Sequence, residues 1–318
     1  MHESSRTVGQ RLASSAMSAP TLLAVPNVSE GRSAPTVAAI ARAFCGAPDA
    51  AGVRMLDIHS DADHHRSVFT LAAQPGELAD ALLRGAALAV AEIDVVARAG
   101  RRGGEAGQHP HVGALDVVPL VYLDPESRGA ACAEALVVAD RLGEELGLPV
   151  FLYGELTSDV DRPARNRAEL RRGGVTGLLD RPLTPDFGPP RVHPTAGVTL
   201  VSARPPLVAF NLQLAAPAAL EDARQVAAAI REGGANGLPG VRAIGVLLDG
   251  AVAQVSINVE RPFEVSLAAV VEAVRAHATV ASAELVGLAP RAAFDGFPPD
   301  LPIPGFDPAR HLIENALG

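Results

Sequence analysis

One order of elements occurs twice along this chain, and it constrains the fold more than any other feature of the sequence. The first copy opens with the short apolar run "TLLAVPNV", followed by "SAPTVAAIARAFCGA", which is apolar at helical spacing and has Ser33 placed to cap its start. Two strand-like runs follow, "VRMLDIHS" and "RSVFTLAA", across a turn rich in Asp and His, then an Ala-rich helix over residues 76–98 and the strand "VGALDVVPLVYL". The second copy runs "PLVAFNLQL", the helix "ALEDARQVAAAIREGG", a hairpin turning at Asp249-Gly250, the helix "SLAAVVEAVRAHA" and the strand "SAELVGLA". Both copies read β-α-β-β-α-β, which predicts an α+β fold of two ferredoxin-like subdomains in tandem, their sheets packed against helices.

Between the copies the pattern predicts a helix over 127–147, a strand in "PVFLYGEL", and an Arg- and Pro-rich stretch from Asp161 to Pro206. Turn formers are densest in "DRPLTPDFGPPRVHPTAG", so the boundary is expected near residue 185, with an N-terminal subdomain over 20–185 and a C-terminal one over 186–318. Residues 1–19 lack the apolar centre of a secretion signal and read as a flexible tail, with Met17 as an alternative start.

Composition narrows the function. Only 3% of residues are aromatic and tryptophan is absent, so the cores must be built from Ala, Val and Leu. A net charge of −9 argues against a nucleic-acid partner, which would need a basic face. The longest apolar stretch carries Arg84, Glu92 and Asp94 at intervals, so no membrane span is expected. Cys45 and Cys132 fit neither a metal spacing nor a disulfide framework, which points to a reducing cytoplasm.

Four segments hold residues able to do chemistry. In "GQHPHVGALD", His109 has a side chain that exchanges protons near neutral pH, and His111 follows two residues later, a spacing that puts both rings on one face of an extended chain. The pair reads as an acid/base site, as zinc ligands together with His59, Asp61, Asp63, His64 and His65, or as residues capping a strand. "DRPARNRAELRRGG" predicts a helix capped by Asp161 with Pro163 in its first turn and Arg165 and Arg172 on one face, suited either to a carboxylate-rich ligand or to solvent. Arg66, opening a strand beside the Asp/His turn, is placed for a bidentate carboxylate contact. "PNVSEGR" offers Asn27, Ser29 and Glu30 at a helix start, as a ligand loop or as a capping turn. Neither a Walker loop nor a G-x-G-x-x-G following a strand is present, and there is no G-x-S-x-G elbow.

The segments "VPNVSEGR", "HPHVGALDVVP", "LGLPVFLYGE", "DFGPPRVHPTAG", "LVAFNLQL" and "ELVGLAP", collinear from about Thr21 to Pro290, resemble the formiminotransferase domain family. That resemblance implies transfer of a formimino group from N-formimino-L-glutamate to N5 of tetrahydrofolate in histidine breakdown, by a homodimer and without a metal. It places the catalytic histidine on His109, with Gly113, Ala114 and Asp116 completing the motif. It places the folate loop on Gly188, Pro189, Pro190, Arg191, Val192, His193, Pro194, Thr195, Ala196 and Gly197, and substrate contacts on Asn27, Arg66 and Asp116.

The chain also departs from the family. His59 stands where an acidic residue is usual, and Ala196 stands where the folate loop carries a tryptophan, which implies a lost stacking surface worth about 1 kcal/mol. The chain ends at Gly318 without the cyclodeaminase domain, so a separate cyclodeaminase is expected downstream. The rival readings are a metal-dependent hydrolase built on the His/Asp cluster and a catalytically silent folate-binding paralogue.

Overall fold

The computed structural model describes residues 21–46, 52–99, 111–157 and 165–318; the N-terminal tail expected over 1–19, with Met17, lies outside the described residues. The fold is mixed α+β, with two sheets packed against helices.

The first sheet contains β1 (Leu22–Ala24), β2 (Asn27–Val28), β3 (Arg54–Asp61), β4 (Arg66–Ala73), β5 (Leu115–Tyr122), β6 (Val150–Leu152) and β7 (Thr199–Arg204). The first apolar run is split into β1 and β2 around Val25-Pro26, where proline has no N–H to give a ladder. Both pieces lie antiparallel between β4 and β5, and β3 pairs with the far side of β4. On the other side β5, β7 and β6 run parallel. The strand β7 therefore joins the first sheet although it lies beyond the boundary expected near residue 185.

Helices α1 (Ala34–Cys45), α2 (Leu78–Glu92), α3 (Val95–Ala99) and α4 (Arg128–Leu146) accompany this sheet, with short helices α5 (Arg167–Leu170) and α6 (Gly174–Leu179) following β6. Ser33 caps α1 through its Oγ, as its position predicts. The single helix expected over 76–98 is broken: Ile93 is extended and 1% exposed, and Asp94 accepts the Ala97 N–H at 2.8 Å to start α3. At the other end of α2 no side chain caps from Glu77; Glu134 on α4 accepts the N–H groups of Gly76 and Ala79 instead. Phe44 of α1 and Phe69 of β4 meet in the core with ring centroids 5.2 Å apart, each fully buried, a burial worth about 1.5–3 kcal/mol per ring.

The second sheet has the order β11-β8-β10-β9, all antiparallel, from β8 (Val208–Leu214), β9 (Val241–Leu248), β10 (Val252–Val259) and β11 (Val280–Val286). Its helices are α7 (Leu220–Ile230) and α8 (Leu267–Arg275), the latter capped by Ser266. The β9–β10 hairpin turns through Asp249, Gly250 and Ala251. No helix among the described residues is long and apolar enough to cross a membrane.

Side chains alternate along each strand, so each sheet turns one set to its helices and the other set to the opposite sheet. Leu22, Phe69 and Leu120 point into the first core, while Val68, Thr70 and Pro119 line a cavity of about 80 Å³ with Ala209, Asn258 and Val286 of the second sheet. His59 of β3 reaches Glu284 of β11 at 3.4 Å across the same divide.

Candidate functional site

The "SEGR" turn is built by close approach. A Cβ on Gly31 would lie 2.1 Å from the Asp61 carbonyl oxygen, so only glycine lets this turn pass the β3–β4 connection. Glu30, 4% exposed, accepts the N–H groups of Arg32 and Ser33 and the Arg98 guanidinium. Burial alone would raise its pKa, and these donors together hold it below the usual carboxylate value. Ser29 Oγ donates to the Gly113 carbonyl at 2.6 Å and stands 3.0 Å from His111 Nδ1. Ser29 and Glu30 thus hold the turn to neighbouring segments, and of the three candidates here Asn27 alone lines the small cavity between the sheets.

His109 lies outside the described residues. His111 is placed: its Nε2 donates to the His64 carbonyl at 3.0 Å, and burial, with Arg171 and Arg66 nearby, brings its pKa down to about 4 against the pull of Asp116. It is neutral at ordinary pH and binds three segments together. The Asp/His turn does not converge. His64 Nδ1 pairs with Asp61 at 2.6 Å, His65 Nδ1 accepts the Gly31 N–H at 3.2 Å, and His59 faces Glu284. Asp61 is held at about 2, because the His64 ring and backbone N–H outweigh the cost of its burial. Among the described residues no three His, Cys, Asp or Glu side chains are grouped to hold a metal ion. Of the side chains that the hydrolase reading invokes, Asp61, His64, His65 and His111 each bond a protein group, and His109 lies outside the described residues.

The arginine segment differs from its expected form. Arg165 and Asn166 are not helical; α5 begins at Arg167, capped by the Asn166 side chain, which accepts the Ala168 N–H. The Asn166 cap starts the helix at Arg167 and the helix ends at Leu170 with Arg171 as its C-cap, so Arg165 and Arg172 lie outside it and do not share a helical face; Arg165 bonds Asp186. The proposed cap, Asp161, and Pro163 lie outside the described residues.

What this segment does supply is Arg171, which pairs with Asp116 in a buried contact. Asp116 is fully used, since its other oxygen accepts the Val112 N–H at 2.7 Å. Its carboxylate therefore fixes the start of β5 and aims Arg171. Arg66, Arg167, Arg171 and Arg204 all line the space between the sheets. Arg66 and Arg204 make no ion pair within 4.0 Å among the described residues, and burial lowers the pKa of each to about 10. A guanidinium withdrawn from water without a carboxylate partner is costly, and an anionic ligand relieves that cost. The space widens around Tyr153, Ser202 and Arg242 into a cavity of about 710 Å³.

The segment Gly188–Gly197 is not brought into these cavities. Gly188 packs on Gly143 and Leu148 beside α4, where a Cβ would lie 2.1 Å from the Leu148 oxygen. Gly197 adopts φ +74° and bridges to Gly113, each against the other's neighbouring backbone. His193 Nδ1 accepts the Ala196 N–H at 3.0 Å, and the Thr195 carbonyl accepts from Val95 at the start of α3. Ala196 itself is 1% exposed and its methyl packs within the first core.

Residues 21–204 match the formiminotransferase domain, N-terminal subdomain. The chain belongs to the formiminotransferase family. Across 304 residues, covering 92% of this chain and 97% of its relative, it is 35% identical to the glutamate formimidoyltransferase of Streptococcus pyogenes serotype M1. The glutamate formimidoyltransferase of Thermoplasma acidophilum is 32% identical over 85% of this chain and 88% of its own length. The formimidoyltransferase-cyclodeaminase of Gallus gallus is 35% identical over 85% of this chain, which spans 50% of that longer protein. Of the residues that line these cavities, the sequence pointed to Asn27, Arg66, Arg165 and Arg172 and did not single out Tyr153, Arg171, Ser202 or Arg204. One signal was available for two of them: Ser202 and Arg204 are polar residues two apart on a strand whose other residues, Thr199 apart, are apolar.

Proposed function

We propose that this protein is a glutamate formimidoyltransferase, moving a formimino group from N-formimino-L-glutamate to N5 of tetrahydrofolate as co-substrate. The observation that carries the reading, beside family membership, is the group of four arginines between the sheets, with Asp116 as their one paired carboxylate among the described residues. Both substrates carry carboxylates, and unpaired buried guanidiniums recognise them with charge and a two-pronged geometry. Arg66 and Asn27, on adjacent strands and lining one cavity, are the contacts we assign to substrate.

N5 of tetrahydrofolate attacks the amidine carbon and must lose its proton; as the tetrahedral adduct collapses, the glutamate nitrogen leaves with a proton. One histidine can take the first and deliver the second. We assign that role to His109, two residues before His111 in the sequence. The bonds of His111 to Ser29 and His64 support an ordered start for the segment that follows His109. Gly188–Gly197 is assigned to the wall of the site through its tie to Gly113 and α3, rather than to direct contact with folate.

We further read each sheet with its helices as a ferredoxin-like unit, a reading supported by the orders β5-β1/β2-β4-β3 and β11-β8-β10-β9. The divide between units is placed after Arg204, where β7 ends. A homodimer in the cytoplasm completes the proposal; the free thiols of Cys45 and Cys132 accord with a reducing compartment.

Turnover of purified protein with tetrahydrofolate and N-formimino-L-glutamate tests the reaction. Product formation unaffected by chelator and abolished in His109→Ala is expected. Ligand binding without turnover would mark a silent paralogue and overturn the assignment.

A further inference from the structure

We infer that Tyr153, Ser202 and Arg204 form a seat for one carboxylate group of a bound substrate, separate from Arg66 and joined to it through Arg171. The inference rests on the transferase reading and adds a specific subsite to it.

The backbone sets the geometry. Leu152 pairs with Val201 in the parallel ladder of β6 and β7, and the Tyr153 N–H continues it to the Val201 carbonyl at 3.1 Å. Tyr153 therefore comes beside Ser202, and Ser202 and Arg204, two apart on β7, share a face. All three line the larger cavity. Tyr153 is 7% exposed and Ser202 1%, yet Tyr153 Oη, Ser202 Oγ and Arg204 Nε have no hydrogen-bond partner among the described residues. Buried donors of this kind are normally satisfied, and three on one wall of a cavity indicate a ligand that satisfies them together.

The donor set defines the ligand's chemistry. Arg204 Nη1 donates to the Pro205 carbonyl at 3.0 Å, which fixes the guanidinium and leaves its Nε without a partner among the described residues. Two hydroxyls and a guanidinium edge match the acceptor-only oxygens of a carboxylate. The carboxylates nearest the cavity mouth are engaged elsewhere: Glu155 with Tyr122 and Arg128, Glu260 with Arg242, and Glu232 with the Gly240 N–H. Burial pulls the Arg204 pKa down to about 10, the direction expected of a cation that lacks its counter-ion.

Two substrates could supply the carboxylate, the glutamate tail of the folate or the amino-acid donor, and calorimetric titration separates them. Folate and pteroate, which differ by that tail, and L-glutamate are titrated into wild type, Arg204→Met and the double variant Tyr153→Phe/Ser202→Ala, with circular dichroism confirming the fold of each. A wild-type preference for folate over pteroate that falls at least tenfold in both variants places the folate tail in the seat. An unchanged folate-to-pteroate ratio with L-glutamate affinity reduced at least tenfold places the amino-acid substrate there. Variants that retain wild-type affinity for all three ligands overturn the seat alone. A wild-type protein that binds none of them overturns the seat together with the transferase reading.

Discussion

Asp116 and Arg171 form an ion pair that water scarcely reaches, 1% and 7% exposed, at the point where the start of β5 meets the segment after α5. Breaking such a pair from one side leaves a buried charge without a partner, which costs about 3–5 kcal/mol. Asp116→Asn is expected to lose stability on that scale, and Asp116→Asn with Arg171→Met to recover part of it. Urea unfolding of the two variants checks this; equal losses in single and double variant would mean the pair is not what the site rests on.

Acid should loosen the protein in two separate windows. His111 titrates near 6.5 when unfolded and near 4 when folded, so the unfolded chain binds the extra proton between those values and stability falls as pH drops from 6.5 to 4. The ring is partly exposed, so the loss is set at up to about 2 kcal/mol rather than the full shift. Asp61 has the other sign of charge but the same direction of effect: its contribution is present above 3.8 and is lost as pH falls through about 2. Unfolding midpoints measured from pH 7 to pH 2 should show both limbs, with His111→Gln flattening the upper and Asp61→Asn the lower.

Arg66 is the residue for which stability and function should part. It has no ion pair within 4.0 Å among the described residues, its charge is disfavoured by burial and by Arg171, and it lines the cavity assigned to substrate. Arg66→Met should leave the free protein as stable as wild type, or about 1 kcal/mol more so, while raising KM for one substrate ten- to a hundredfold. Thermal unfolding alongside steady-state kinetics reads both. A variant that unfolds early and keeps its KM would make Arg66 structural.

The repeated element order was legible in the sequence because it is written in local signals: helical spacing in "SAPTVAAIARAFCGA" gave α1 with its Ser33 cap, and the Asp249-Gly250 turn gave the β9–β10 hairpin. The break at Ile93 was not, because Asp94 looks like an ordinary helical residue until its carboxylate is seen on the Ala97 N–H. Membership of β7 in the first sheet depends on pairing with β5, a long-range contact that turn-forming composition cannot express. Arg66 announced itself as a charge opening an apolar strand, whereas Tyr153, Ser202 and Arg204 acquire meaning only when β6 and β7 lie side by side.

Position 196 tests whether the loop at Gly188–Gly197 touches folate or supports the segments that do. The Ala196 carbonyl accepts the Ala114 N–H at 2.8 Å, its own N–H goes to His193 Nδ1, and its methyl lies in the first core at 1% exposure. A tryptophan here has no cavity to fill, so Ala196→Trp is expected to overpack the core and cost about 1–3 kcal/mol or more. Folate affinity should stay level or fall, because strain passes through Gly197 and Gly113 to the start of β5. Denaturation midpoints and folate titration decide the matter. Tighter folate binding at unchanged stability would show that the side chain at 196 faces the ligand and would return the loop to the role that the family resemblance implies.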